Sequence, residues 1–251
     1  MSVIRIDRRR LALLAAALCL LIALARYAAR VIPAMLVTEA DVIIRYVPVS
    51  EKAIALTFDD GPDGDFTPRI LEVLRAHRAK ATFFVVGKQV EYYPEILRQI
   101  AADGHEIGSH TYSHPKLSGL SEARLRSELA RTADLIRAAC GVAPACFRPP
   151  FGIISAGAIQ VVRDAGYAII LWDRELDSRD WERPGVDRIV ERVVSNARPG
   201  GIVLMHDGGG CRSQTVAALG KILDQLAAQG YRFVTVSELL RLSEQNGIPG
   251  R

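Results

Sequence analysis

The sequence predicts an α/β protein built on a parallel sheet, and three observations lead to that prediction. From Ala53 onward, short apolar segments alternate with amphipathic helical patterns. Polar residues of types that act in catalysis or bind metal ions directly follow several of the apolar segments. A basic and then wholly apolar segment precedes this alternating region. Strand and helix in alternation favour a parallel sheet, because parallel strands need crossover connections.

The N-terminal segment is typical of a membrane anchor. Arg8–Arg10 precede the uncharged run Leu11–Ala25, which is apolar on every face. Its 15 residues are fewer than the roughly 20 that span a bilayer, but the apolar stretch resumes after Arg26, which can snorkel. The positive flank predicts a single-pass protein with its body outside the cytoplasm. The alternative for residues 1–30 is a cleaved signal peptide and a secreted protein.

The charge distribution argues against a nucleic-acid partner. The chain of 251 residues carries a net charge of +4, but residues 1–30 hold six arginines and one aspartate. The remaining 221 residues therefore carry −1, which leaves no basic footprint for nucleic acid. Outside the cytoplasm Cys140 and Cys146 could pair and leave Cys211 as the odd thiol, although their spacing does not decide this.

The chain divides into four predicted parts: the membrane segment 1–30, a stem at 31–51, a folded domain at 52–240 and a tail at 241–251. The length suits one large domain plus an attachment segment. Seven strands are predicted in that domain: Ala53–Phe58, Ala81–Val85, Glu106–Ser109, Cys146–Arg148, Tyr167–Trp172, Ile202–Met205 and Arg232–Val236. Helical patterns between them include those that begin at Thr67, Ser121 and Ser213. Periodicity permits closure into a barrel but does not require it.

Two adjacent carboxylates, Asp59 and Asp60, close the first of these strands. Neighbouring carboxylates repel, so they need a cation, a buried donor or open water. In one interpretation one acid holds a metal ion and the other acts as a general base. In the other they form a solvated turn before Gly61 and Pro62.

His110 and His114 follow the third strand, and Pro115 favours a loop rather than a helix at this point. Two imidazoles and one carboxylate are a ligand set typical of zinc or a similar divalent ion. The alternative is a pair of unrelated loop histidines.

Three further segments carry candidate residues at strand ends. His206 follows an apolar strand and suits a general acid, or alternatively packs in the core. The segment Asp177–Trp181 offers an acid that would raise the pKa of His206, or is a surface turn. Arg148 comes directly before two prolines that make a rigid turn. Its guanidinium would bind a carboxylate of the site or, alternatively, form a structural salt bridge. In parallel α/β barrels chemistry collects at the carboxyl ends of strands, so we expect these residues to share one rim.

Five segments together resemble the motifs of the polysaccharide deacetylase family, also called the NodB-homology domain or carbohydrate esterase family 4. They occur in the family's order over about residues 52–240: Thr57–Pro62, His110–His114, Arg148–Gly152, Asp177–Trp181 and Leu204–His206. The resemblance implies a distorted (β/α)7-type barrel, here preceded by the N-terminal membrane segment.

The resemblance also implies roles for individual residues. Three residues would bind a divalent metal, taken to be zinc with cobalt or nickel as alternatives: Asp60, His110 and His114. Four would be catalytic: Asp59 as base, Arg148 holding it, His206 as acid and Asp180 tuning that acid. Three would bind substrate: Phe151 through its backbone amide, and Trp181 and Leu204 as walls of an acetyl pocket.

The function implied is metal-dependent removal of N-acetyl groups from N-acetylglucosamine units of an extracytoplasmic polysaccharide, with release of acetate. The expected partner is an acetylated glycan, either peptidoglycan or a chitin-like oligomer. The alternatives are an O-acetyl xylan esterase or small-molecule amide hydrolase on the same fold, and a non-catalytic glycan-binding relative. The sequence does not indicate an oligomeric state.

Overall fold

The computed structural model describes residues 42–245 as an α/β domain. Its strands are β1 Ile43–Ile44, β2 Ala53–Asp59, β3 Ala81–Val85, β4 Glu106–Ser109, β5 Cys146–Phe147, β6 Ala168–Ile170, β7 Ile202–His206 and β8 Arg232–Phe233. Its helices are α1 Phe66–Ala76, α2 Gly87–Tyr92, α3 Pro94–Ala102, α4 Glu122–Cys140, α5 Ala156–Asp164, α6 Val186–Ser195, α7 Ser213–Ala228 and α8 Val236–Gln245. Short 3₁₀ turns lie at Pro150–Gly152, Arg174–Leu176 and Asp180–Glu182.

The strands form a parallel sheet in the order β1-β6-β5-β4-β3-β2-β7, and β8 pairs with the start of β2. From β2 to β6 the spatial order follows the chain, with helices in the crossovers. The predicted α/β class and parallel sheet are therefore confirmed. Because the strands are parallel, their carboxyl ends, which carry the candidate residues, all lie at the same edge of the sheet.

The sheet is a half-barrel and not a fully closed (β/α)7 barrel. Its edge strands β1 and β7 share no regular ladder; isolated bridges join Tyr46 to Gly201 and Asp177 to Leu204. The irregular segment 173–180 runs along β7, where the amide of Ser178 donates to the carbonyl oxygen of Leu204 at 3.2 Å. This segment supplies part of the functional site in place of a strand.

The two faces of β2 pack in different surroundings. Phe58 joins an apolar cluster with Leu74 of α1 and Leu219 of α7, whereas Ala55 belongs to a second cluster on the other face. Side chains alternate between the two faces of a strand, so Asp59 lies on the same face as Ala55. This alternation directs the carboxylate into the interior of the half-barrel.

The predicted domain boundaries differ from the structure at both ends. Ile43–Ile44 pairs with Ile169–Ile170 of β6, and Val47 is buried, so residues assigned to the stem belong to the sheet and its core. At the other end α8 continues past the expected boundary at 240 to Gln245. A strand of two residues is too short to produce a recognisable pattern, which explains the first difference.

Two other predictions concern the cysteines and the membrane segment. Cys140 and Cys146 are both free thiols, so the disulfide considered for them is absent. Cys140 packs against the apolar cluster that contains Phe58, whereas Cys146 belongs to the cluster that contains Ala55, so the two cysteines lie on opposite faces of the sheet.

The predicted membrane segment 1–30 lies outside the described residues, and within residues 42–245 no helix is long and apolar enough to cross a bilayer.

Candidate active site

The carboxyl ends of β2, β4 and β7 bring the candidate residues together. In the ladder between β2 and β7, Asp59 is the register partner of His206. His110 comes directly after β4, where its amide donates to the carbonyl oxygen of Val85 at the end of β3. Residues separated by almost 150 positions in the chain thus meet at one rim.

A buried ion pair holds the first carboxylate. Asp59 is 4% exposed and Arg148 is completely buried, and Nη1 of Arg148 lies 2.7 Å from Oδ1 of Asp59. The same guanidinium donates to Oγ1 of Thr57 at 2.8 Å and to the carbonyl oxygens of residues 170 and 171. Burial raises the pKa of Asp59, and the positive charge of Arg148 opposes that shift. Because Arg148 occupies Oδ1, Oδ2 is the oxygen of Asp59 that remains free to contact a bound group.

The second carboxylate belongs to a candidate metal centre with two histidines. Oδ1 of Asp60 lies 3.3 Å from Nε2 of His114 and 3.6 Å from Nε2 of His110. Nδ1 of His110 lies 2.7 Å from the carbonyl oxygen of Arg148. A carbonyl can only accept, so Nδ1 carries the proton and Nε2 keeps its lone pair. Burial lowers the pKa of His110 to about 3, which keeps this imidazole neutral.

The donor set fits a divalent ion. Two imidazole nitrogens and one carboxylate oxygen lie within 4.8 Å of one another, and this is the only such cluster among residues 42–245. Zinc is held by such ligands in catalytic sites that keep a position open for water or substrate. The hydrogen bond from the far side of His110 is the usual orienting contact of a metal-bound histidine.

Glu128 of α4 anchors the loop that carries the two histidines, and sequence analysis missed it. It is only 2% exposed, and its Oε2 accepts from the amides of Tyr112 at 3.0 Å and Ser113 at 2.7 Å. His114 itself adopts a left-handed conformation with φ of 54°, which costs energy for a residue other than glycine. Glu128 falls between Leu125 and Leu129 on the buried face of α4, and a charge in that apolar stripe was the available signal.

On the other side of the rim, Asp180 orients His206. Nδ1 of His206 lies 2.7 Å from Oδ1 of Asp180, whose Oδ2 accepts from the amide of His206 and from Oγ1 of Thr215. Burial alone would lower the pKa of His206, but the hydrogen bond and negative charge of Asp180 outweigh it and leave that pKa raised. Asp177, from the same segment, lines the cavity and accepts from the amide of Arg179 instead.

These residues surround a single cavity of about 420 Å³. Of the ten residues singled out from the sequence, eight line it: Asp59, Asp60, His110, His114, Phe151, Trp181, Leu204 and His206. Arg148 and Asp180 lie behind that lining and contact Asp59 and His206. Phe151 and Trp181 are 54% and 53% exposed at the rim, whereas Leu204 is buried.

Five residues of this region were not among the predicted site residues: Gly152, Trp172, Asp177 and Arg212 in the cavity lining, and Asp207 behind it. Oγ1 of Thr67 donates to Oδ2 of Asp207 at 2.7 Å, while Oδ1 has no hydrogen-bond partner among the described residues. Burial and the nearby charges of Asp60 and Asp59 raise the pKa of Asp207 to about 7. A Cβ at Gly61 would lie 2.1 Å from Oδ2 of Asp207, so the turn requires glycine there.

The fold and the rim together define a class: a parallel α/β domain with a candidate metal centre between a buried carboxylate and an Asp-oriented histidine. Comparison with known proteins agrees with that class. The family model for polysaccharide deacetylase matches residues 46–170. A peptidoglycan-N-acetylglucosamine deacetylase of Bacillus cereus is 49% identical over 195 residues, covering 78% of this chain and 91% of that protein. A chitooligosaccharide deacetylase of Bradyrhizobium sp. is 40% identical over 200 residues, covering 75% and 90%.

The structural comparison leads to the same family. The crystal structure of the Bc1960 peptidoglycan N-acetylglucosamine deacetylase, in complex with 4-naphthalen-1-yl-N-oxidanyl-benzamide, superposes with a TM-score of 0.77. That match has 38% sequence identity and covers 81% of this chain and 94% of the other. The chain belongs to the polysaccharide deacetylase family. The resemblance recognised from the five motifs is therefore confirmed.

Proposed function

We propose that the protein removes the acetyl group from N-acetylglucosamine units of an extracytoplasmic glycan and releases acetate. The observation that carries the proposal is the arrangement of three elements around one cavity: a buried Asp59–Arg148 pair, a His₂Asp cluster and a His206–Asp180 pair. Relatives that act on peptidoglycan or on chitooligosaccharides, by their names, support this substrate class. The predicted segment 1–30 would hold the domain outside the cytoplasm, where such glycans lie.

Asp60, His110 and His114 would hold a divalent ion, for which we propose zinc, with cobalt or nickel compatible with the same donors. When bound, such an ion supplies Lewis acidity, which polarises a carbonyl and lowers the pKa of a water molecule. The neutral state of His110, set by burial, leaves its Nε2 ready to act as a ligand without first losing a proton.

Asp59 would accept the proton of the attacking water. Its Oδ1 is occupied by Arg148, while its Oδ2 lies 3.8 Å from Nε2 of His110, on the side of the candidate metal centre. One oxygen is thus fixed in place and the other faces the ligand cluster. A carboxylate held this way needs little reorganisation when it takes up a proton.

His206 would donate a proton to the leaving amine. Asp180 occupies its Nδ1, so Nε2 is the atom left for transfer, and the raised pKa favours the protonated ring. The backbone amide of Phe151 would donate to the oxyanion, and Leu204 and Trp181 would enclose the acetyl methyl group. A non-catalytic relative would have no use for a base, a ligand set and an acid around one cavity.

The test is acetate release from N-acetylglucosamine oligomers, peptidoglycan and acetylated xylan, each with and without a chelator. We expect release from at least one N-acetylated glycan, loss of that activity with the chelator and its return with zinc or cobalt. Release that is indifferent to the chelator would contradict the proposed metal centre. Release from acetylated xylan alone would contradict the amide substrate.

A further inference from the structure

Arg212, the residue before α7, is a buried cation in the cavity wall that the mechanism above does not use. It is 5% exposed and lines the cavity together with His206 and Asp177. Its Nε donates to the carbonyl oxygen of Gly208 at 2.7 Å, which ties the side chain to its own loop. The guanidinium is therefore held in place by one of its N–H groups while the cavity lies beside it.

The hydrogen-bonding capacity of this guanidinium is largely unused. An arginine side chain has five N–H donors, yet within residues 42–245 the Nε contact is the only hydrogen bond that the side chain of Arg212 makes, and it forms no ion pair. Arg148, the other buried arginine, uses its donors on Asp59, Thr57 and two carbonyl oxygens. The Nη atoms of Arg212 are not buried, unlike those of Arg148, so their N–H groups are open to the cavity that Arg212 lines and can donate to a ligand there.

The ligand chemistry follows from the shape of the group. Because Nε is engaged, the free edge of this planar guanidinium is the one formed by Nη1 and Nη2. Such an edge matches a carboxylate, which it binds through two parallel hydrogen bonds. The surrounding cavity also has aromatic walls at Trp172 and Trp181 and is large enough for part of a sugar.

We propose that Arg212 is a carboxylate-binding residue of this cavity. Resting on the proposed function, the carboxylate has two sources. One is a carboxyl-bearing substituent on the sugar next to the acetylated unit, such as a lactyl group of peptidoglycan that carries no stem peptide. The other is the acetate that the reaction releases. In the first case Arg212 sets selectivity for acidic over neutral glycans; in the second it retains the product.

The experiment compares Arg212→Gln and Arg212→Lys with Arg183→Gln. Arg183 is a matched control because it is an exposed arginine close enough to Cys211 to influence its pKa, yet it does not line the cavity. Two quantities are measured for each: the ratio of KM for a peptidoglycan tetrasaccharide with free lactyl carboxylates to KM for a neutral N-acetylglucosamine tetramer, and the inhibition constant of acetate.

For Arg212→Gln we expect one of the two quantities to rise about tenfold or more, as for the loss of a charge-assisted hydrogen bond. A change in the KM ratio identifies the glycan carboxylate, and a change in the inhibition constant identifies acetate. Arg212→Lys, which keeps the charge but loses the fork, should lie between the wild type and the glutamine variant. Arg183→Gln should change neither.

The proposal is overturned if Arg212→Gln changes neither quantity, or if Arg183→Gln changes them equally. Calorimetric titration of the wild type with the lactyl-bearing tetrasaccharide and with acetate gives the same comparison without turnover. Failure of the wild type to release acetate would therefore count against the proposed function, while the titration would still decide the role of Arg212.

Discussion

Asp180 and His206 form a short polar contact at the rim, with Nδ1 of His206 2.7 Å from Oδ1 of Asp180. Both carboxylate oxygens of Asp180 accept hydrogen bonds: Oδ1 from the ring of His206, and Oδ2 from the amide of His206 and the hydroxyl of Thr215. Its own pKa is lowered, because these hydrogen bonds outweigh the opposing effect of burial. The charged carboxylate stabilises the imidazolium form of His206, so the proton donation proposed for His206 depends on Asp180, although Asp180 does not line the cavity.

Replacement Asp180→Asn should move the alkaline limb of the kcat–pH profile to lower pH. The negative charge of Asp180 raises the pKa of His206, so its loss lowers that pKa and removes the protonated ring earlier as pH increases. At pH 8 we expect kcat to fall about tenfold or more, within the range of general acid catalysis. Asp177→Asn is the matched control, since Asp177 lines the cavity without a hydrogen bond to His206. Equal shifts in both variants would contradict the assignment.

Among individual residues, the sequence identified those whose role is indicated by both their residue type and a recognisable motif. Asp59 and His206 directly follow predicted apolar strands, and His110 is one of two histidines four residues apart after a strand, which made them conspicuous. Arg212 did not stand out, because arginine in a polar loop is normally a surface residue, and only the fold shows that it is buried. The resemblance named Asp180 and not Asp177 as the partner of His206, and their geometry agrees, although both acids occur in one short segment.

At the scale of elements, α4 is more than a cover for the sheet. The carboxylate of Glu128 binds two successive amides of the histidine loop, and Arg124 one turn earlier lies 2.9 Å from it. Because the loop includes left-handed residues, it needs such contacts to hold its shape. A helix that the sequence predicted only as a connection between strands thus positions the histidine loop of the candidate metal centre.

Replacement Glu128→Gln should weaken metal binding about tenfold or more, because changes that disturb the orientation of ligands typically cost 10- to 100-fold in affinity. The amide nitrogen of glutamine cannot accept from Ser113 or Arg124, so part of the anchor is lost. Zinc affinity measured by competition with a chromogenic chelator provides the readout. Glu122→Gln on the exposed side of the same helix is the control. Wild-type affinity in Glu128→Gln would show that the anchor is dispensable.

The elements that sequence analysis misjudged are the shortest or least regular. β1 has two residues, and β5 and β8 likewise end sooner than the apolar patterns indicated. Their lengths depend on where neighbouring strands offer backbone partners, which is tertiary information. The longer elements β2, α4 and α7 have patterns long enough to be recognised from the sequence alone.

At the scale of the molecule, the site exists only because the sheet assembles distant segments. Asp60 follows β2 and the two histidines follow β4, so the three candidate ligands converge only when β2, β3 and β4 are paired. A metal that binds the folded state therefore stabilises it. At a free zinc concentration 100 times the Kd, the free energy of unfolding rises by about 2.7 kcal/mol.

The proposed mechanism gives the adjacent carboxylates of Asp59 and Asp60 different tasks, and replacing each in turn separates the two. Wild type, Asp59→Asn and Asp60→Asn are each followed for acetate release and for the zinc-dependent rise in the free energy of unfolding. We expect Asp59→Asn to keep the stabilisation but lose nearly all turnover, and Asp60→Asn to lose both. Full zinc stabilisation of Asp60→Asn, or near-normal turnover by Asp59→Asn, would show that the two carboxylates do not divide the work in this way.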